Sequence, residues 1–120
     1  MFKKCSGCSG TWRSGAEFLS DPAVTLVGYQ VNFGALELGA LLFNHVVAGC
    51  GSTISLEAGR FRDLYNGPVF EERLTGSSPC PGYCLRQGDL DPCPARCECA
   101  YVRDILQIVK QWPKRMAGVA

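Results

Sequence analysis

The residues able to do chemistry fall into two groups. Cys5, Cys8, His45 and Cys50 form one; Cys80, Cys84, Cys93, Cys97 and Cys99 form the other. Between them they hold all 8 cysteines and the 1 histidine of the 120-residue chain. Thiols grouped this way point to metal binding, disulfide formation or thiol redox chemistry. In Cys5-Ser-Gly-Cys8, two intervening residues let both thiolates reach one ion, and the glycines allow a tight turn that brings backbone N–H groups to the sulfurs. His45 and Cys50 can close that shell as Cys3His, a normal set for a borderline-soft ion such as zinc. Two readings of His45 stand, as ligand or as core histidine. If it is a core histidine, Cys50 is a small buried hydrophobe.

The second group reads C-x3-C, a loop, then C-x3-C-x-C, with Pro81-Gly82 and Asp91-Pro92 as turns that bring its halves together. Five thiols exceed what one tetrahedral ion needs. If the last helix begins at Pro94, Cys93 and Cys97 share one side and Cys99 points away. The shell is then Cys80, Cys84, Cys93 and Cys97, with Cys99 buried or reactive. If the helix begins later, Cys99 replaces Cys80. Zinc is the expected ion in both groups, two per chain. An iron–sulfur cluster is the competing cofactor, since it also takes four cysteines, but no familiar ferredoxin spacing is present. Disulfides would replace metal in an exported chain.

The elements that position these residues follow from pattern. Ser14-Gly-Ala-Glu17 is a capping box opening a short helix over Gly15–Ser20, ended by Asp21-Pro22. Val24–Phe33 alternates as a strand whose apolar face is Val27, Tyr29, Val31 and Phe33. Gly34–Gly39 is a turn holding one helical turn. Leu41–Val47 and Ser52–Leu56 are two more strands, so the three form an antiparallel meander. Ala58–Tyr65 has helical spacing. From Pro94, Cys97, Tyr101, Ile105, Ile108 and Trp112 share one face of a C-terminal amphipathic helix ended by Pro113. Val102, Leu106 and Val109 widen that stripe. Arg103, Asp104, Gln107, Lys110 and Gln111 make its solvent side. Lys114–Ala120 is read as a loose tail. The fold class is α+β: a small antiparallel three-stranded sheet, a cysteine-rich loop lobe and the C-terminal helix. The loop Thr75–Pro79 is the seam between a sheet unit over 1–74 and a lobe over 75–120, packed as one domain.

The first half, with C-x2-C, two intervening strands, then H-x4-C and Gly51, resembles the zinc ribbon family. That resemblance implies two knuckles at the ends of a small antiparallel sheet, gripping one tetrahedral zinc. The second knuckle departs from the usual tight C-x2-C, because His45 stands well before Cys50. The whole chain is also similar to small cysteine-rich bacterial proteins, which implies a bacterial setting and nothing about mechanism.

Composition narrows the function. A net charge of +1 gives no field to gather nucleic acid or anionic lipid. The run Ala35–Val47 is too short and too polar to span a bilayer, and Met1–Gly10 lacks an apolar signal core. The expected setting is cytoplasmic, where clustered cysteines serve as metal ligands or redox thiols. No P-loop, dinucleotide fingerprint, haem attachment or H-E-x-x-H motif occurs. The expectation is a non-enzymatic metal-binding module that contacts a protein partner, or a second copy of itself, through the C-terminal helix. An iron–sulfur or thiol-based redox protein, with a switch at Cys97-Glu-Cys99, is the alternative. Nucleic acid is the third and weakest reading.

Overall fold

The computed structural model describes residues 1–75, 80, 82–94 and 96–115. Two antiparallel sheets form. The smaller pairs β1 (Lys3–Lys4) with β2 (Thr11–Trp12), and the larger has the order β3 (Val24–Gln30), β4 (Ala40–His45), β5 (Thr53–Glu57). Helix α1 (Gly15–Ser20) links the sheets, and α2 (Ala100–Lys110) is the last helix. Single 3-10 turns span Leu36–Leu38 and Tyr83–Leu85, and a longer one spans Ala58–Leu64.

Helix α1 has the expected bounds because its ends are locally determined. Ser14 Oγ accepts from the Glu17 N–H at 3.1 Å, and Glu17 Oε2 accepts from the Arg13 N–H at 2.9 Å. Its Phe18 and Leu19 are buried under the larger sheet.

The meander is as expected, but β3 is phased differently. Val24 pairs with His45 and Leu26 with Phe43; Val27 is then skipped, and Gly28 pairs with Leu42. This bulge resets which side chains face inward. Val24 and Tyr29 are therefore buried, while Val27 is 40% exposed, contrary to the simple alternation. Just past the bulge, the Tyr29 N–H donates to the Gln87 carbonyl at 2.9 Å, so the cysteine-rich lobe is tied to the sheet there. A side chain at Gly28 would lie 3.1 Å from that same carbonyl, which keeps the position small.

Strand β4 alternates cleanly, with Leu41, Phe43 and His45 on its buried face. Ile54 and Leu56 are their counterparts on β5. Phe18 sits edge-on to both Trp12 and Phe43, at 4.9 Å each, and links the two sheets through aromatic contact. Val102, Ile105, Leu106 and Val109 of α2 join this same core.

Three further expectations are corrected. Helix α2 starts at Ala100, not Pro94. The Glu98 N–H donates to the Glu72 carbonyl and the Leu74 N–H to Cys97 Sγ, so this segment is committed to the 72–74 backbone before the helix begins. Arg103, read as solvent-facing, is fully buried. Its Nε donates to the Asp91 carbonyl at 2.9 Å and its Nη2 to the Asp89 carbonyl, so loop 89–91 folds over it. The tail is held at its start, where Lys114 Nζ donates to the Leu19 and Val24 carbonyls and the Arg115 N–H to the Ser20 carbonyl. Residues 116–120 of that expected tail, and 76–79 of the expected seam, lie outside the described residues.

Candidate metal centre

The first group of ligands converges. The β1–β2 turn carries Cys5 and Cys8, and its ends are joined by the Cys5 N–H donating to the Gly10 carbonyl at 2.8 Å. Lys3 lies opposite Trp12 across that hairpin and Lys4 opposite Thr11. His45 is the last residue of β4, and its N–H donates to the Ser52 carbonyl at 2.9 Å. The loop from β4 to β5 then returns through Gly49 at φ +82° and Gly51 at φ +72°. These left-handed positions suit glycine and bring Cys50 back beneath His45.

The Sγ atoms of Cys5 and Cys50 are 3.6 Å apart. His45 Nδ1 lies 3.7 Å from Cys8 Sγ and 3.6 Å from Cys50 Sγ. All four ligand atoms lie within 4.8 Å of one another, so a single ion can touch each of them. Cys5 and His45 are buried, and Cys8 and Cys50 half-buried. The His45 ring packs edge-on against Trp12, with centroids 5.0 Å apart, and the Trp12 indole N–H donates to Asp21 at 2.9 Å. That contact fixes the ring with Nδ1 turned to the thiols.

The surroundings act differently on the two half-buried thiols. The Gly10 N–H donates to Cys8 Sγ at 3.4 Å. The Cys50 thiol is lowered to about 6, first by the Ser52 side chain and then by the Ser52 backbone N–H. At Cys8 the Gly10 N–H lowers the pKa, but desolvation and the neighbouring Cys5 and Cys50 thiols outweigh it, so the net shift is upward. Three thiols this close cannot all ionise without a cation between them, which is the condition a bound ion meets. Space is tight as well. A side chain at Gly7 would overlap Ser52, and one at Gly10 would touch Cys8 Sγ and His45 Cε1 at 3.4 Å. The glycines of the Cys5–Gly10 stretch were expected to bring backbone N–H groups to the sulfurs, and Gly10 does so at Cys8; Ser52 was not singled out, and only its adjacency to Gly51 hinted at a role.

The second group is only partly gathered. Cys84, Cys97 and Cys99 form a buried cluster of their own, with Cys93 packed against it. Cys99, set aside when the helix was started at Pro94, is inside this cluster because α2 starts later. Cys80 is elsewhere in the loop, where its Sγ accepts from the Gly82 N–H at 3.4 Å. Cys84 and Cys99 shift in opposite directions, first through their mutual hydrogen bond, Cys84 down and Cys99 up. No disulfide joins any described cysteine. Among the described residues, no helix is long and apolar enough to cross a membrane.

A scan against protein-family models and searches of curated proteins and of solved structures found no significant match to this chain.

Proposed function

We propose that this protein is a zinc-binding structural module, in which Cys5, Cys8, His45 and Cys50 clamp one tetrahedral zinc between two zinc-ribbon-like knuckles. The observation that carries this reading is the ligand spacing. Zinc bonds of 2.3 Å to sulfur and about 2.05 Å to nitrogen set tetrahedral edges of about 3.8 Å between sulfurs and about 3.6 Å from sulfur to nitrogen. The separations of 3.6 Å, 3.7 Å and 3.6 Å are close to those edges. Four protein ligands make a closed shell, which supports a structural ion rather than a catalytic one with an open position. The ion would join the β1–β2 hairpin to the end of the larger sheet and supplement a small core.

The outward work of such a module is contact with another protein or a second copy of itself. The apolar stripe of α2 is taken up by the chain's own core, so the exposed knuckle residues Val46 and Val47 are the better candidates for that contact. A sedimentation coefficient independent of protein concentration would rule out the second-copy form.

The zinc reading is tested by elemental analysis of protein purified without chelator, beside Cys5→Ser and Cys8→Ser. Each variant should lose one zinc and melt earlier. Unchanged zinc content in both would refute the site.

A further inference from the structure

The cysteine-rich lobe contains a second convergence of thiols that the Cys3His centre does not use. Cys84 lies in the turn Tyr83–Leu85, entered through Gly82 at φ +80°. Cys97 and Cys99 flank Glu98 at the entrance to α2, and Cys99 is that helix's N-cap residue. Cys97 and Cys99 are almost wholly buried, at 1% and 2% exposure. Cys99 Sγ lies 3.1 Å from Cys84 Sγ and 3.4 Å from Cys97 Sγ. Both distances are far longer than the roughly 2.05 Å of a disulfide, and both are shorter than the tetrahedral edge of about 3.8 Å, so an ion would have to spread the three sulfurs slightly on entering. Cys93 packs against the three, and apolar side chains including Val31, Phe33 and Leu36 close the surroundings.

Two further features anticipate negative charge at this point. The Leu74 N–H donates to Cys97 Sγ at 3.2 Å, an arrangement that stabilises thiolate sulfur. The second is Arg103, one turn into α2. It is fully buried, and its Nη1 has no hydrogen-bond partner among the described residues. Its Nη2 also lies 3.7 Å from the Asp89 carboxylate, which takes up part of its charge. A divalent ion held by four thiolates carries a net charge of about −2. The buried guanidinium and the positive end of the α2 dipole both offset that charge.

We propose that Cys84, Cys93, Cys97 and Cys99 form a second metal site, all-thiolate and separate from the Cys3His centre, that takes one soft divalent ion of the zinc class and leaves Cys80 outside. Loading replaces the thiol protons, which pass to solvent, and no oxidant or reductant is needed. The site joins the turn Tyr83–Leu85 to the start of α2, as the other centre joins the β1–β2 hairpin to the sheet. The inference does not rest on the Cys3His reading, since no ligand is shared.

The test counts ions on the full chain, purified anaerobically in the presence of zinc, by native mass spectrometry and elemental analysis. The wild type needs no substitution and should carry about two ions, one per shell. Cys5→Ser should keep one, Cys97→Ser should keep one, and Cys80→Ser should keep both. A single ion that survives Cys5→Ser but is lost in Cys97→Ser would support this site while removing the other. A single ion lost in Cys5→Ser would overturn it, as would iron with sulfide, or a Cys84–Cys99 disulfide in the anaerobic protein. Loss of an ion in Cys80→Ser, with Cys93→Ser unaffected, would overturn the ligand set. Should Cys97→Ser not fold, cobalt titration of Cys5→Ser supplies the same answer. An all-thiolate site gives intense sulfur-to-cobalt absorption at one equivalent, and absence of that absorption overturns the proposal.

Discussion

Replacing Gly7 by alanine tests the clamp between the two knuckles directly. A β-carbon at Gly7 would fall 1.5 Å from Ser52 Oγ, 2.7 Å from Ser52 Cβ and 3.3 Å from Cys50 Sγ. Rotation of the serine removes the first clash but not the second, because Cβ is fixed to the backbone. The Ser52 backbone must retreat from 2.7 Å to about 3.4 Å, a shift of about 0.7 Å, and it carries Cys50 with it. Overpacking of this kind costs about 1–3 kcal/mol. The strain falls on the state in which one ion holds both knuckles together, since the metal-free knuckles can separate. Zinc affinity should therefore drop by about 5- to 150-fold. Competition against a chromophoric chelator measures that drop, and melting in excess chelator should show wild type and variant nearly alike. Ser52→Gly removes both clashing atoms, so it should restore affinity in the Gly7→Ala background more than it alters the wild type. That coupling is what a double-mutant cycle isolates. Equal zinc affinity of Gly7→Ala and wild type, or no coupling to position 52, would refute the packing argument.

Other outcomes follow from the same structure. Arg103→Met should destabilise by about 3 kcal/mol or more, because the Asp89 and Asp91 carbonyls lose a charged donor; a thermal midpoint lowered by less than about 8 °C would contradict it. Phe43→Ala should cost about 3–5 kcal/mol in denaturant unfolding, while Val27→Thr at the bulge should stay within about 0.5 kcal/mol. Equal effects at these two positions would mean that β3 is phased without the bulge. Ser14→Ala should cost about 1 kcal/mol by removing the α1 cap, and no change in the unfolding midpoint would deny that the cap matters to the whole fold.

The elements readable in advance were those whose signals are local. The capping box fixed α1 to the residue, and the run Leu41–Val47 was readable as a strand, which the structure forms over Ala40–His45. The turn glycines around Cys50 and the C-x2-C spacing identified the four residues that the structure draws together. Where long-range contacts compete with local pattern, the pattern failed. The period of four through Cys97, Tyr101 and Ile105 runs on without a break, but backbone bonds to Glu72 and Leu74 hold Cys97 and Glu98 out of the helix. The alternation of β3 cannot reveal a bulge, because an extra residue changes the phase without changing the composition. Arg103 looked exposed because a polar residue on a helix is read as surface unless its carbonyl partners are known.

By itself, the sequence determined that this chain is built from a short capped helix, a three-stranded meander and a C-terminal helix around two groups of thiols. These follow from residue type and spacing, which act over a few positions. Tertiary structure alone decided which thiols meet. The loop from β4 to β5 brings Cys50 under His45 and against the Cys5–Cys8 turn, and the late start of α2 places Cys99 beside Cys84 while Cys80 stays apart. Ligand geometry is a relation between segments far apart in the chain, so it is fixed only when the core they share has closed.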